Sequence, residues 1–165
     1  MDVIKGRTWK FGKNIDTDVI IAGRYCHLTD PKELARHVFE DLDPLFSRKV
    51  RAGDLIIAGS NFGCGSSREV APVALKAAGI SAVVAVSFAR IFYRNALNIG
   101  LPIFECPEVY ESIAEGSVVE IDPGKGTIID HAGNRQYTAN PFPPFMQEII
   151  AAGGLIGYAE SRLKR

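Results

Sequence analysis

Between Asp54 and Phe104 the chain alternates short runs of β-branched and aliphatic residues with longer stretches whose apolar residues recur at helical spacing. That alternation constrains the fold more than any other feature. Asp54-Leu-Ile-Ile-Ala-Gly59 reads as a buried strand, Glu69 to Ala78 as a helix, and Ser81 to Val86 as a second buried strand. Together they form a βαβ unit, because parallel neighbours need a crossover and a helix is the usual one. A second helix, about Phe88 to Asn98, leads into a strand at Leu101-Pro-Ile-Phe104. Right-handed crossovers then make all three strands parallel.

The flanks obey other periods. Val3 to Phe11 alternates as a strand and ends in a Gly12-Lys13-Asn14 turn. Asp16-Thr17-Asp18 leads into a short buried stretch, Val19-Ile-Ile21, which stops at Gly23. After a loop, Thr29-Asp30-Pro31 is a helix start, and Leu34, Val38 and Leu42 keep helical spacing behind it. Beyond Cys106-Pro107, three short strands at Val118 to Ile121, Gly126 to Ile129 and Arg135 to Tyr137 make a β-rich section. Pro144 to Leu163 reads as one helix broken at Gly153-Gly154, or two short ones. The expectation is a single α/β domain over residues 1–165, with central βαβ units and parallel strands plus the β-rich section.

Charge excludes several partner classes. Nineteen Lys+Arg balance nineteen Asp+Glu, so no global field recruits nucleic acid or an anionic membrane. No apolar run approaches the ~18 residues of a membrane span, and the start lacks a signal-peptide layout. A soluble, cytoplasmic protein is expected. Cys26, Cys64 and Cys106 are too scattered for a disulfide framework or a C-x-x-C pair, and His27, His37 and His131 form no ligand pair. No autonomous metal site is expected.

The leading candidate site is the loop Asn61-Phe-Gly-Cys-Gly-Ser-Ser-Arg68, since open α/β sheets bind ligands at the carboxyl ends of their strands. Gly63 and Gly65 permit positive φ and close backbone approach. Ser66 and Ser67 are placed to cap the following helix and aim its free N–H groups, while Arg68 offers a planar fork suited to a carboxylate or phosphate. The plain alternative is a structural turn with a serine cap and a surface arginine. A dinucleotide fingerprint lacks its third glycine, a phosphate loop lacks its lysine, and neither serine sits in a nucleophile elbow. Cys64 has no evident histidine partner. What remains is an anion-binding loop with a hydroxyl beside a cation. Such a hydroxyl could abstract a proton next to a carboxylate, but expelling a neighbouring hydroxyl also calls for a Lewis acid that this chain does not offer.

Three segments are recognisable: Asn61 to Glu69, Ser87-Phe-Ala-Arg-Ile-Phe-Tyr-Arg-Asn-Ala96, and Asn98-Ile-Gly-Leu-Pro102. With Gly6 to Gly12, Asp16 to Ile20 and Ala151 to Leu155, they resemble the small subunits of isopropylmalate isomerase and homoaconitase, in the aconitase superfamily, over nearly the whole chain. The resemblance implies a swivelling β/β/α domain of aconitase type and a separate large subunit carrying a [4Fe–4S] cluster, in a heterodimer or heterotetramer. It implies Ser66 as the base, Arg68 as the carboxylate binder, Ser67 as a hydrogen-bonding partner, and Asp18 and Thr17 near the active site. The reaction implied is dehydration and rehydration of a hydroxy dicarboxylic or tricarboxylic acid, foremost the isomerisation of 2- and 3-isopropylmalate in leucine biosynthesis.

The family reads the substrate's variable arm with a loop that here is Gly23-Arg-Tyr-Cys-His-Leu28. At the third position of the tetrapeptide starting at Tyr25, isopropylmalate enzymes tend to have an apolar residue and homoaconitases an arginine. Here it is His27. A histidine near its reference pKa of ~6.5 is mostly neutral at neutral pH, which favours isopropylmalate and leaves methylated malates such as citramalate as alternatives. Arg24 either binds a carboxylate or faces solvent. Arg90, Tyr93, Arg94 and Asn95 fall on one short helix, with Arg90 and Arg94 on one face, and are read as support for the loop or an interface. A non-catalytic dicarboxylate-binding module is the reading from another class. An isolated chain could also self-associate through the surface that a large subunit would cover.

Overall fold

The computed structural model describes residues 1–164 and contains a seven-stranded sheet flanked by eight short helices. β1 (Ile4–Phe11) runs into a one-turn helix α1 (Thr17–Ile20), a turn of 3₁₀ helix at Gly23–Tyr25, then α2 (Pro31–Ala35) and α3 (Phe46–Lys49). The central units are β2 (Leu55–Ala58), α4 (Val70–Ala77), β3 (Ala82–Ala85), α5 (Arg90–Asn98) and β4 (Ile103–Glu105). After α6 (Pro107–Ser112) come β5 (Val118–Asp122), β6 (Thr127–Asp130) and β7 (Arg135–Thr138), and the chain closes with α7 (Pro144–Ala151) and α8 (Leu155–Leu163).

The strand order is β4-β3-β2-β1-β5-β6-β7. Strands β1 to β4 are mutually parallel, and β5 to β7 are added antiparallel on the far side of β1. β1 belongs to both halves: Ile4 to Arg7 pair with β5, and Thr8 to Phe11 pair with β2. Such a divided strand lets the sheet curl, and the packing confirms that it does. Ile56, Ala58, Val83 and Ala85 point into a core covered by the helices and by Phe39, Phe46, Phe62 and Phe92. Their neighbours Leu55, Ile57, Ala82 and Val84 point the other way, into a core shared with Val119, Ile121 and Ile128 of the antiparallel strands. Buried on both faces, β2 and β3 read as unbroken apolar runs, as parallel strands do.

Most sequence expectations match within two residues, and the departures have local causes. The helix expected to run from Pro31 through Leu42 ends at Ala35, although Asp30 caps it by accepting the Lys32 N–H at 3.0 Å. Phe39 adopts φ +54°, a left-handed conformation that no helix continues through. Its buried ring stacks on Phe11 at 4.3 Å, and its N–H donates to the Ile20 carbonyl at 2.9 Å, so core packing holds the turn. Leu42, free of that helix, is exposed. The buried stretch after Asp18 is helical from Thr17, capped by Asp16. Phe88 precedes α5 in a β-bridge with Phe62. At the other end of β2, buried Asp54 receives Trp9 Nε1–H at 2.8 Å, the Arg51 N–H at 2.9 Å and Arg7 Nη2 at 3.1 Å, which fixes Trp9 as an anchor.

Candidate active site

β2 ends at Ala58, and the chain enters the loop at Asn61, whose φ of +60° starts the reversal. Three hydrogen bonds clip the loop to the segment before α1. The Gly63 N–H donates to the Ile15 carbonyl at 2.8 Å, the Thr17 N–H to the Cys64 carbonyl at 2.8 Å, and the buried Thr17 hydroxyl to the Ser66 carbonyl at 2.7 Å. Both glycines are required. A Cβ on Gly63 would lie 2.2 Å from the Phe92 ring and one on Gly65 2.3 Å from the Asp16 carboxylate, at φ values of +82° and +87°.

The loop forms one wall of a crevice of about 220 Å³. Gly63, Gly65, Ser66, Ser67 and Arg68 line that wall together with Thr17, and residues 89 to 92 with Asn95 line the crevice from the α5 side. Ser66 and Ser67 are exposed at its lip. Among the described residues, no backbone acceptor takes the N–H groups of Gly65, Ser66 and Ser67, three exposed residues of that wall.

Arg68 is held from one side. Its Nη2 lies 3.2 Å from Asp18 Oδ1, its Nη1 donates to the Cys26 thiol at 2.8 Å, and its Nε is buried without a protein partner. Asp18 Oδ1 also accepts the Gly23 N–H at 2.9 Å, so the segment from Gly23 to Cys26 packs directly on the guanidinium. Arg24 and His27 do not line the crevice. The Arg24 fork is taken by Asp41, at 2.6 and 3.1 Å, and lies over the Tyr25 ring. His27 is exposed on the same loop.

The helix end facing the crevice is not the one expected. Ser66 and Ser67 do not cap α4: it starts at Val70 behind Glu69, without a side-chain cap. The Ala71 N–H is taken by the Arg68 carbonyl at 3.2 Å, and Pro72 has no N–H to offer. The end that lines the crevice belongs to α5, which Ala89 leaves without a side-chain cap and which carries no acid in its first turn. Sequence reading takes Arg90 and Asn95 on this helix as support for the loop or an interface, whereas both line the crevice. The available signals were Pro72 inside one helix start and a non-capping alanine before the other.

The thiols do not present a nucleophile or a metal site. Burial and the neighbouring Asp16 push the Cys64 thiol above its ordinary value. Burial, with Glu108 beside it, pushes Cys106 up to about 11. Among the described residues no three His, Cys, Asp or Glu side chains gather into a metal-holding group, so the residues present do not fit an iron–sulfur cluster.

Residues 11–108 match the family described as the aconitase C-terminal domain. The chain is 61% identical over 160 residues to the 3-isopropylmalate dehydratase small subunit of Thermodesulfovibrio yellowstonii, covering 97% of this chain and 95% of that one. It is 60% identical over 165 residues to the corresponding subunit of Aliarcobacter butzleri, covering 100% and 99%. The crystal structure of a 3-isopropylmalate dehydratase from Methanocaldococcus jannaschii superposes with a TM-score of 0.91 at 48% identity, covering 98% of this chain and 95% of that one. Aconitase X of Thermococcus kodakaraensis, at 14% identity and a TM-score of 0.50, shares the fold.

Proposed function

Because the chain belongs to the aconitase family, among the 3-isopropylmalate dehydratase small subunits, we propose that its crevice is one half of a hydro-lyase active site, with Ser66 as base and Arg68 as carboxylate clamp. The enzyme of these subunits is a dehydratase that works with a large subunit, and it interconverts 2- and 3-isopropylmalate by dehydration and rehydration in leucine biosynthesis. The observation that carries the assignment of roles is the crevice itself, where an exposed serine and an arginine with a buried, unpaired Nε share one wall.

The chemistry of this half follows from that geometry. The substrate carboxylate binds Arg68 and the open amides of Gly65 to Ser67, which stabilises charge developing on the adjacent carbon. Ser66 Oγ, as alkoxide, takes the proton from that carbon. The C–H electron pair becomes the carbon–carbon double bond, and the C–O bond to the neighbouring hydroxyl breaks. Rehydration delivers the Ser66 proton to the carbon that lost the hydroxyl and adds the hydroxyl to the carbon that lost the proton, which regenerates the alkoxide. The same open amides, with the uncapped end of α5, favour the anionic form of Ser66. An iron–sulfur cluster held by the large subunit would supply the Lewis acid for the departing hydroxyl.

The loop from Gly23 to Leu28 reads the substrate's variable arm, and it carries His27 beside Leu28 rather than an arginine, which favours isopropylmalate over an acid with an extra carboxylate. The enzyme acts in the cytoplasm, and no helix among the described residues is long and apolar enough to cross a membrane. Co-expression with a cluster-bearing large subunit tests the reading. Ultraviolet absorbance of the unsaturated acid should rise with isopropylmalate far faster than with homocitrate or citramalate. Equal or greater rates with homocitrate would overturn the substrate assignment.

A further inference from the structure

Five side chains around the turn at Gly23–Tyr25 form a cluster that the reaction does not use. Tyr25 stacks flat on His37, with ring centroids 3.7 Å apart and planes 10° from parallel. His37 Nδ1 lies 2.8 Å from Glu40 Oε2. The Tyr25 hydroxyl, and then His37, hold the Glu40 carboxyl below its ordinary range. Arg24 forms its two-pronged pair with Asp41, which is likewise held low by that guanidinium. Every outer partner, His37, Glu40 and Asp41, comes from the short segment that Phe39 nails to the core in its left-handed conformation.

This arrangement ties a substrate-reading loop to a rigid anchor. Tyr25 and Arg24 are gripped from outside, while the next residue, Cys26, touches Arg68 on the inside. A half-exposed loop of six residues, tied to the core only through Tyr25 and Leu28, would otherwise sample more conformations, at a cost in binding whenever substrate must order it. We propose that His37, Glu40 and Asp41 are positioning residues for substrate recognition: they latch the loop from Gly23 to Leu28 and, through Cys26, set the place of Arg68. Arg24 then acts through Asp41 and makes no contact with substrate. The inference rests on the reading of the crevice as the active site and of that loop as its specificity element.

The test uses Asp41→Asn, Glu40→Gln and the charge exchange Arg24→Asp with Asp41→Arg, each in the reconstituted two-subunit enzyme. Each single variant should raise KM for isopropylmalate about two- to fivefold, the size expected when one exposed pair stops holding a loop, with kcat within twofold. The exchange should recover most of that loss. Hydrogen exchange on the small subunit provides a readout independent of activity. The amides of Cys26 and Leu28, which donate to Gly23 and Tyr25 at 3.1 and 3.0 Å, should exchange faster in both single variants than in the parent. Unchanged exchange overturns the latch even if a variant fails to assemble. Faster exchange with unchanged KM overturns the link from latch to substrate. A charge-exchange variant that stays impaired, with Asp41→Asn normal, would put Arg24 on the substrate instead. Full activity of Ser66→Ala, by contrast, would remove the active-site reading itself and leave the exchange result standing.

Discussion

The parallel and antiparallel halves of the sheet are built from the same kinds of residue but carry different burdens. β2 and β3 are buried on both faces, whereas β5 and β6 alternate between buried and solvent-facing positions and β7 is mostly exposed. A strand covered on both sides must send its connections over helices, and those crossovers leave a gap at the strand ends. The crevice occupies that gap. Hairpin connections in the antiparallel half leave none, so this half closes the second core and holds β1 in place. The proposed site therefore lies where the topology forces separation, and predictions can be ordered by how hard they strain the contrast.

The largest effect is expected at Ser66. Ser66→Ala should lower kcat of the reconstituted enzyme by about 10²- to 10⁴-fold, the range for loss of a positioned base, with KM little changed. Its thermal midpoint should stay within error of the parent, because the side chain is exposed. A kcat within tenfold of the parent would locate the base elsewhere.

Next comes a paired test of stability. Ile57, central in the parallel half and buried against the antiparallel strands, should lose about 2–5 kcal/mol on Ile57→Ala. Val118, at the start of β5 and 41% exposed, should change by less than about 0.5 kcal/mol as Val118→Ala. Urea unfolding of the small subunit measures both, and similar losses would mean that the halves share burial more evenly than the packing indicates.

Glycines sharpen the comparison at one backbone conformation. Gly65 and Gly116 have φ values of +87° and +85°, but a Cβ on Gly116 meets nothing within 4 Å while one on Gly65 strikes Asp16. Gly116→Ala should cost only the left-handed strain, about 1–2 kcal/mol, and spare activity. Gly65→Ala should also displace the Asp16 cap and the wall of the crevice, so catalysis should fall more than stability does. Paired melting curves and rates would separate the two costs.

Much of this was legible in the residues. The apolar runs of β2 and β3 announce burial on both faces, and the Gly-Cys-Gly-Ser-Ser-Arg loop announces a candidate site because glycine spacing and a cation are local properties. The break after Ala35 was not legible, since it depends on Phe39 reaching Phe11, a partner distant in sequence. The opposite wall of the crevice and the Arg24–Asp41 pair were hidden for the same reason. Helical spacing said that Arg90 and Asn95 lay on α5, but only the packing of Phe62 against Phe92, with ring centroids 5.2 Å apart, swings that helix end toward the loop.

Arg68→Lys strains the contrast less, because it keeps the charge and loses the fork. An ammonium cannot contact Asp18, Cys26 and a carboxylate in one plane, so KM should rise about tenfold with a smaller change in kcat. Equal falls in kcat and kcat/KM would instead make Arg68 a group that acts mainly in the transition state.

The smallest effect concerns pH, and it isolates the rim of the crevice from the sheet beneath it. Glu40 and Asp41 both have carboxyls held below their ordinary values, the first by Tyr25 and His37, the second by Arg24. A carboxyl with a lowered folded pKa contributes fully above its unfolded value and loses that contribution as pH falls through the folded one. The latch should therefore hold at neutral pH and loosen below about pH 4, where ordinary carboxyls begin to protonate. Protection factors at Cys26 and Leu28 should hold from pH 6 to about pH 4 and fall below it, while those at Ile56 and Val84, which report the parallel strands, fall only with global unfolding. Both partners of the Arg24–Asp41 pair are exposed, so added salt should weaken protection at neutral pH as well. Loop protection that follows the strands at every pH would mean that packing of Tyr25 alone holds the loop and that the charges around it are incidental.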